Sequence, residues 1–251
     1  VGNGRRVMVA SVEASLKRLA TDRIDLLWVH MADGITSSEE IMRGLDDLVR
    51  AGKVVHVGLS DFPAWRVARA ATLAELRGWT PVIGLQVEYS LVERTPDREL
   101  LPMAQALGLG TVGWSPLAGG LLTGKYRRGE TGRASSFQRL IHAENDARKT
   151  AIVDAVLDIA DQRGVTPSQV SLAWMGARGV VPILGPRTLK QLVDNLGAAD
   201  LDLTQDERIR LDEASRVSLG FPHEMLAHDD QRARFSAGQA DRLETPTLPI
   251  A

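Results

Sequence analysis

Ile24-Asp25-Leu26-Leu27-Trp28-Val29-His30-Met31-Ala32-Asp33 is the stretch whose reading decides the fold. A short apolar run stops at a histidine, and a carboxylate follows three residues later. The run is dense enough in apolar side chains for a strand buried on both faces. Four more apolar runs follow and end in polar or aromatic groups: 54–60 at Ser60-Asp61, 82–87 at Gln86, 111–115 at Trp114-Ser115, and 180–185 at Gly185 through Arg187. Packing alone does not explain such groups at one set of strand ends.

Helical patterns lie between these runs. Residues 6–20 carry Val9, Val12, Leu16 and Leu19 on one face. Ser37-Ser38-Glu39-Glu40 has the form of a capping box, before a helix that turns Ile41, Leu45, Leu48 and Val49 to one side and stops at Gly52. Further helices are predicted near 64–77, 97–107 and 149–163. Thr166-Pro167-Ser168-Gln169, Thr188-Leu189-Lys190-Gln191 and Thr204-Gln205-Asp206-Glu207 each open another. Residues 118–149 read as a long loop rich in Gly, Arg and Ser, and the tail from about 218 to 251 as irregular. Strand and helix alternating at about thirty residues per unit predict a parallel sheet with right-handed crossovers. An eight-stranded barrel and an open doubly wound sheet both fit. No G-x-G-x-x-G opens a helix after the first strand, which weighs against the second. In a barrel, sites gather at the carboxyl ends of the strands.

Composition narrows the function. The 251 residues can bury a sizeable core, and 44% apolar with 25% charged residues is an ordinary globular balance. A net charge of -2 gives no field favouring nucleic acid or anionic membranes. Zero cysteines excludes disulfides, thiolate nucleophiles and cysteine metal sites, and suits a cytoplasmic location. No apolar run is long enough for a membrane span. The chain opens on Val1 rather than Met, so an upstream piece is expected.

Taken together, the motifs resemble the aldo-keto reductase family over nearly the whole chain. The pieces are Glu13-Ala14-Ser15-Leu16-Lys17-Arg18-Leu19, the run 24–30, Leu48-Val49-Arg50-Ala51-Gly52-Lys53-Val54 leading to Gly58-Leu59-Ser60-Asp61, and Gln86-Val87-Glu88-Tyr89-Ser90. Trp114-Ser115-Pro116-Leu117-Ala118-Gly119-Gly120-Leu121-Leu122-Thr123-Gly124-Lys125-Tyr126 and Gly185-Pro186-Arg187-Thr188 running on to Asn195 complete them. The resemblance implies an α/β fold of the (β/α)8 TIM-barrel class, binding NADPH or NADP+ across its rim and passing hydride to a small-molecule carbonyl. By position, His30 matches the family histidine that orients the carbonyl. Ser60, Asp61 and Gln86 match residues holding the nicotinamide carboxamide, with Asp61 where the family often has Asn. Trp114 matches the aromatic stacked on the nicotinamide. The coil with Ser115, Pro116, Leu117, Gly119, Leu121, Gly124 and Lys125 matches the pyrophosphate loop. Small residues, free amides and a lysine also suit that role physically. Gly185, Arg187, Gln191 and Asn195 match the phosphate and adenine end. Arg187, just before a helix start, is suited to the 2′-phosphate. Phe221, Pro222 and His223 open the tail and are candidates for substrate contact.

The family's catalytic set also contains an Asp, a Tyr and a Lys. In the family its histidine ends the fourth strand, whereas His30 ends the first here, so three upstream strands are expected to be absent. That is roughly ninety residues of a closed barrel. The expected fold is therefore one incomplete barrel domain with about five of eight strands, open at both edges and prone to self-association. Of the tyrosines, Tyr89 and Tyr126, neither matches the proton donor. A positioned general acid contributes about 10²–10⁴-fold, so the chain alone is expected to reduce carbonyls poorly. The alternatives are a non-catalytic NADPH-binding, sensing or docking protein, and an inactive partial product.

Blander readings apply elsewhere. His56 reads as a core histidine, and His142, His223 and His228 as loop residues. Trp65, Trp79 and Trp174 read as packing, and Trp28 as filling on either side of the sheet. Arg127, Arg128 and Arg133 either cover the cofactor or are solvated. Asp33 reads as a loop or helix-start residue. A metal at His30 with Asp33 and Asp61 lacks a His-x-His and is set aside.

Overall fold

The computed structural model describes residues 2–130 and 142–242. The strands are β1 (Ile24–Val29), β2 (Val54–Ser60), β3 (Val82–Glu88), β4 (Gly110–Trp114) and β5 (Val180–Pro182). They form one parallel sheet that pairs in chain order. The order ends at β1 and β5, so no closed ring forms among the described residues. Among the described residues ten helices accompany the strands: α1 (Arg5–Leu19), α2 (Ser38–Arg50), α3 (Ala64–Arg77), α4 (Leu100–Ala106), α5 (Ala147–Arg163), α6 (Pro167–Ala177), α7 (Leu189–Leu196), α8 (Gln205–Ser215), α9 (His223–Ala227) and α10 (Asp229–Phe235). No helix is long and apolar enough to cross a membrane, among the described residues.

Two compact units divide the chain. One runs to Val87 and includes Glu99–Thr111; the other takes Glu88–Arg98 and the chain from Val112. In the first unit α1 packs on α2, and α2 on α3 and β2. Ile41, Met42, Leu45 and Leu48 of α2 are buried with Val57 and Leu59 of β2 and Val67 of α3. The α1 face keeps Val12 and Leu16 of the predicted set but takes Met8 in place of Val9. Met8, Val12 and Leu16 are buried, while Leu19 is exposed at the last turn. β1 is not buried on both faces: Asp25 and Leu26 are exposed, and among the described residues the strand pairs with β2 alone.

The predicted capping box at 37–40 is half formed. Ser37 Oγ accepts the Glu40 N–H at 3.1 Å, but the Glu40 carboxylate reaches back to accept the Arg5 N–H at 3.1 Å. It thereby closes the start of α1, whose own N-cap is Gly4 and whose first turn holds no acid. The buried Asp46 joins elements in the same way. It accepts from Arg50 Nε at 2.6 Å and from the Thr80 N–H at 2.9 Å, fastening α2 to the approach to β3.

In the second unit α5 packs on α6 and α8, and α6 on α7 and β5. Both boxes opening α6 and α8 are complete, with Thr166–Gln169 and Thr204–Glu207 exchanging bonds. β5 stops at Pro182, earlier than predicted. Four elements replace predicted irregularity. Residues 118–130 contain two 3-10 segments, Ala118–Thr123 and Lys125–Arg128, and the tail contains α9 and α10.

A buried polar cluster holds this unit together. The Trp174 ring stacks on Tyr89 at 5.5 Å, while the Arg94 and Arg178 guanidinium groups lie 5.3 and 5.5 Å from its centroid. Tyr89 donates its hydroxyl proton to Asp97 Oδ1 at 2.6 Å and accepts from Arg178 Nε at 2.7 Å. Arg94 reaches Asp97, Asp212 and Ser215, and Trp174 Nε1 donates to Asp212 Oδ1 at 3.1 Å.

Candidate functional site

The carboxyl ends of β1, β2 and β3 place the first group of candidates. Parallel register sets Trp28 beside Gly58, Gly58 beside Gly84, and Ser60 beside Gln86. Trp28 lies across both glycines: a Cβ on Gly58 would meet its ring at 2.4 Å, and one on Gly84 at 2.8 Å. The indole therefore covers the sheet just below the rim. Beyond it the chain emerges at His30, which is exposed. The Ser60 hydroxyl points at Gln86 Oε1 from 3.5 Å, and the Asp61 N–H donates to the Gln86 carbonyl at 3.1 Å. Asp61 adopts φ 52, which turns the chain sharply off the end of β2. Ser60, Asp61 and Gln86 thus lie together at the ends of β2 and β3. Ser60 is fully buried, however, so it braces Gln86, while Asp61 and Gln86 are half-buried.

Asp33 is a turn residue. Its carboxylate accepts from the N–H groups of Asn3, Ile35 and Thr36 and from the Thr36 hydroxyl. The Thr36 hydroxyl first, then these backbone donors, hold its carboxyl well below the usual carboxylate range. Asn3 was missed in the sequence, where it is only a polar residue ahead of a helix. His56 is exposed rather than core, because it pairs with exposed Leu26 at the entry end of the strands.

The second unit holds the remaining candidates. Trp114 ends β4, half-buried, and its carbonyl accepts the Tyr89 N–H at 3.2 Å. The coil after it is built on left-handed residues: Ser115 (φ 57), Ala118 (φ 49), Gly119 (φ 65), Gly120 (φ 99) and Gly124 (φ 68). Four of its amides are not free, against the prediction. Those of Ala118, Gly120, Leu122 and Gly124 donate to carbonyls within the coil at 2.8, 2.8, 3.4 and 3.0 Å. Pro116, Leu121 and Gly124 are buried and shape the coil, while Ser115, Leu117, Gly119 and Lys125 are partly open. The end of the Lys125 chain lies against Gly120, where a Cβ would stand 2.7 Å from Nζ.

Arg187 is exposed, with no hydrogen-bond or ion-pair partner for its guanidinium among the described residues. It sits immediately before Thr188, whose Oγ1 accepts the Gln191 N–H at 3.2 Å to open α7. Gln191 Oε1 accepts the Arg187 N–H at 2.7 Å, so that side chain is tied to the arginine's own backbone. Gly185 is exposed, whereas Asn195 is buried rather than open along the helix.

Other charges are used internally. Arg127 binds Glu144 and Asp154, and Arg128 binds Glu130, so these two are ion-paired; Arg133 lies outside the described residues. His142 lies 3.1 Å from Glu88 Oε1 through Nε2, a pairing with no local sequence signal. Trp79 packs between Arg43 and Arg77, Trp174 is buried, and Trp65 is exposed rather than packed. Phe221 is exposed, its carbonyl accepting from Arg98 Nη2 at 2.8 Å, and Pro222 and His223 are half-buried beside it. Among the described residues no group of three or more His, Asp or Glu is placed to hold a metal ion.

Comparison with known proteins agrees with this arrangement. The Aldo/keto reductase family model matches residues 1–216. The uncharacterised oxidoreductase YrpG of Bacillus subtilis is 39% identical over 197 residues, covering 78% of this chain and 59% of that protein. A norsolorinic acid reductase of Emericella nidulans is 34% identical over 234 residues, covering 92% and 59%. The chain thus spans about three-fifths of the length of these curated relatives, 59% in each case. A thermostable aldo-keto reductase solved with the inhibitor epalrestat superposes with a TM-score of 0.67 at 28% identity, over 84% of this chain and 67% of that one. With its parallel strands ending in the motifs quoted above, the chain belongs to the aldo/keto reductase family of oxidoreductases.

Proposed function

We propose that the chain is the coenzyme-binding part of an NADPH-dependent reductase of aldehyde or ketone carbonyls. The observation that carries this reading is Arg187: an exposed guanidinium without an ion partner among the described residues, next to the start of α7. A planar, permanently charged fork beside helix-start amides suits a 2′-phosphate. Trp114 and the coil from Ser115 to Lys125 belong to the same unit. When bound, the nicotinamide supplies hydride. Asp61 and Gln86 offer acceptors, and Gln86 also a donor, to its carboxamide. Trp114 offers an aromatic face, and Lys125 a cation for the pyrophosphate. His30 orients the carbonyl and stabilises the developing oxyanion through a ring N–H. Exposed Phe221 is the substrate contact favoured in the tail. A cytoplasmic setting and a small-molecule carbonyl partner belong to the same proposal.

Titration of tryptophan fluorescence with NADPH and with NADH tests it. NADPH is expected to bind more tightly, and Arg187→Ala to reduce that preference about tenfold or more, the scale of one lost charge-assisted contact of ~1.5–3 kcal/mol. An unchanged ratio rejects the role of Arg187, and no binding of either coenzyme rejects the function.

Neither tyrosine of this chain is placed to protonate a substrate. Tyr89 is fully buried with its hydroxyl committed to Asp97, and Tyr126 donates to the Gly119 carbonyl at 2.8 Å. Burial, then the bond to Asp97, pushes the Tyr89 phenol well above its ordinary value. We therefore propose that this chain alone reduces carbonyls poorly even when it binds NADPH. Sustained NADPH oxidation by the purified chain with a simple aromatic aldehyde, at rates normal for a reductase, contradicts that.

A further inference from the structure

The turn after His30 is anchored from outside itself. Asp33 Oδ1 accepts the N–H groups of Ile35 at 3.0 Å and Thr36 at 2.8 Å, which is the ordinary work of an aspartate in a turn. Oδ2 accepts the Thr36 hydroxyl at 2.5 Å and, from 30 positions earlier in the chain, the N–H of Asn3 at 2.8 Å. The Asn3 side-chain amide then donates to the carbonyl of Met31 at 2.7 Å. Met31 directly follows His30, so one residue grips the turn at two points on either side of Ala32. Beyond the turn, Arg66 Nη2 donates to the Thr36 carbonyl and ties it to α3. His30 itself is exposed and directly follows β1, a strand that among the described residues pairs with β2 alone. Its ring direction depends on the backbone that follows it.

We propose that Asn3 and Asp33 are positioning residues that fix the backbone of His30 and so aim its imidazole at the bound carbonyl. This rests on the reductase reading of His30. An interaction useful to a transition state needs its donor held within a narrow geometry, and an exposed side chain on a loose turn does not provide one. Asp33 is suited to the task because it stays ionised near neutral pH beside the start of α1, where the helix field favours a negative charge.

The test is ring-proton NMR of the five histidines of the whole chain, with the His30 signal assigned through His30→Gln. Asn3→Ala removes the bond to Met31. Asn3→Asp keeps the shape and also removes the donor, so both variants are expected to displace the His30 ring signal by more than its line width. His56, His142, His223 and His228 are expected to stay in place. Asp33→Asn, which surrenders one of the two acceptor oxygens, is expected to displace the same signal. An unmoved His30 signal in both Asn3 variants, with only a lowered urea midpoint, makes the link purely structural and overturns the proposal. So does an equal shift of all five histidines. NADPH affinity of the same variants is expected to match the parent. A parent that binds no coenzyme sinks the reductase reading separately, whatever the His30 signal does.

Discussion

Arg94→Ala is expected to destabilise the chain by about 3 kcal/mol, the lower end of the cost of breaking a buried ion pair by removing one partner. Arg94 is buried and serves four acceptors: Asp97 Oδ2 at 2.7 Å, the Asp212 carbonyl at 3.2 Å, Asp212 Oδ1 at 3.0 Å and Ser215 Oγ at 2.8 Å. Its removal leaves the nearly buried Asp97 carboxylate with Tyr89 and a longer 3.3 Å contact to Arg178. That remaining cation keeps the cost from the upper end. Loss of the guanidinium from the Trp174 face adds to it. Arg94→Lys is not expected to rescue, because one ammonium does not span the planar fork's acceptors. Urea unfolding followed by tryptophan fluorescence measures the effect, and the melting temperature is expected to fall by roughly 6–12 °C. A midpoint shift worth less than about 0.5 kcal/mol, the size of an ordinary surface change, removes the cluster from its structural role.

Gly58→Ala is expected to cost about 2–3 kcal/mol, although it adds one methyl group. The new carbon would stand 2.4 Å from the Trp28 ring, which cannot tilt freely because Gly84 also lies beneath it. Left-handed backbone strain does not contribute, since Gly58 lies inside β2 without a positive φ, at a register shift in its pairing with β3. The discriminating variant is therefore the double one. Trp28→Leu alone should destabilise by lost packing, yet in the Gly58→Ala background it should restore part of the loss. The two sites would then show a favourable coupling of about 1 kcal/mol or more. Simple additivity contradicts the ring-on-glycine arrangement. Because Trp28 lies two residues before His30 and Gly58 two before Ser60, Gly58→Ala should also weaken coenzyme binding.

These cases show how far residues alone can be read. The alternation of strands and helices was legible because each run carries its own period, and β2 and α3 fall on the predicted bounds. The Ser60–Asp61–Gln86 cluster was legible too, since parallel register brings the ends of neighbouring strands together. What failed was whatever depends on the neighbour across the sheet or along the fold. An apolar run does not say whether it stands at an end of the sheet, so Leu26 was misread as interior, and His56 with it, because it pairs with the exposed Leu26. Trp28 had no assigned side because its seat is two glycines on two other strands. The glycines of the coil after Trp114 announced a tight path. The left-handed turns at Ser115 and Ala118, which help route amides back into the coil, carry no such mark. Arg127 looked available to a phosphate because its partners, Glu144 and Asp154, lie 17 and 27 positions away.

The start of α1 carries a consequence for the order in which the fold assembles. Asp33 and Glu40 hold the backbone at Asn3 and Arg5, and both are made later than the helix they close. On a growing chain, residues 5–19 leave the ribosome with no side-chain cap and no acid in the first turn. A helix that short is marginal in water by itself. It should therefore gain a lasting first turn only after α2 has emerged and folded back. A peptide of residues 2–20 should be largely unstructured by circular dichroism, and one extended to residue 52 should gain more helix than its added length supplies.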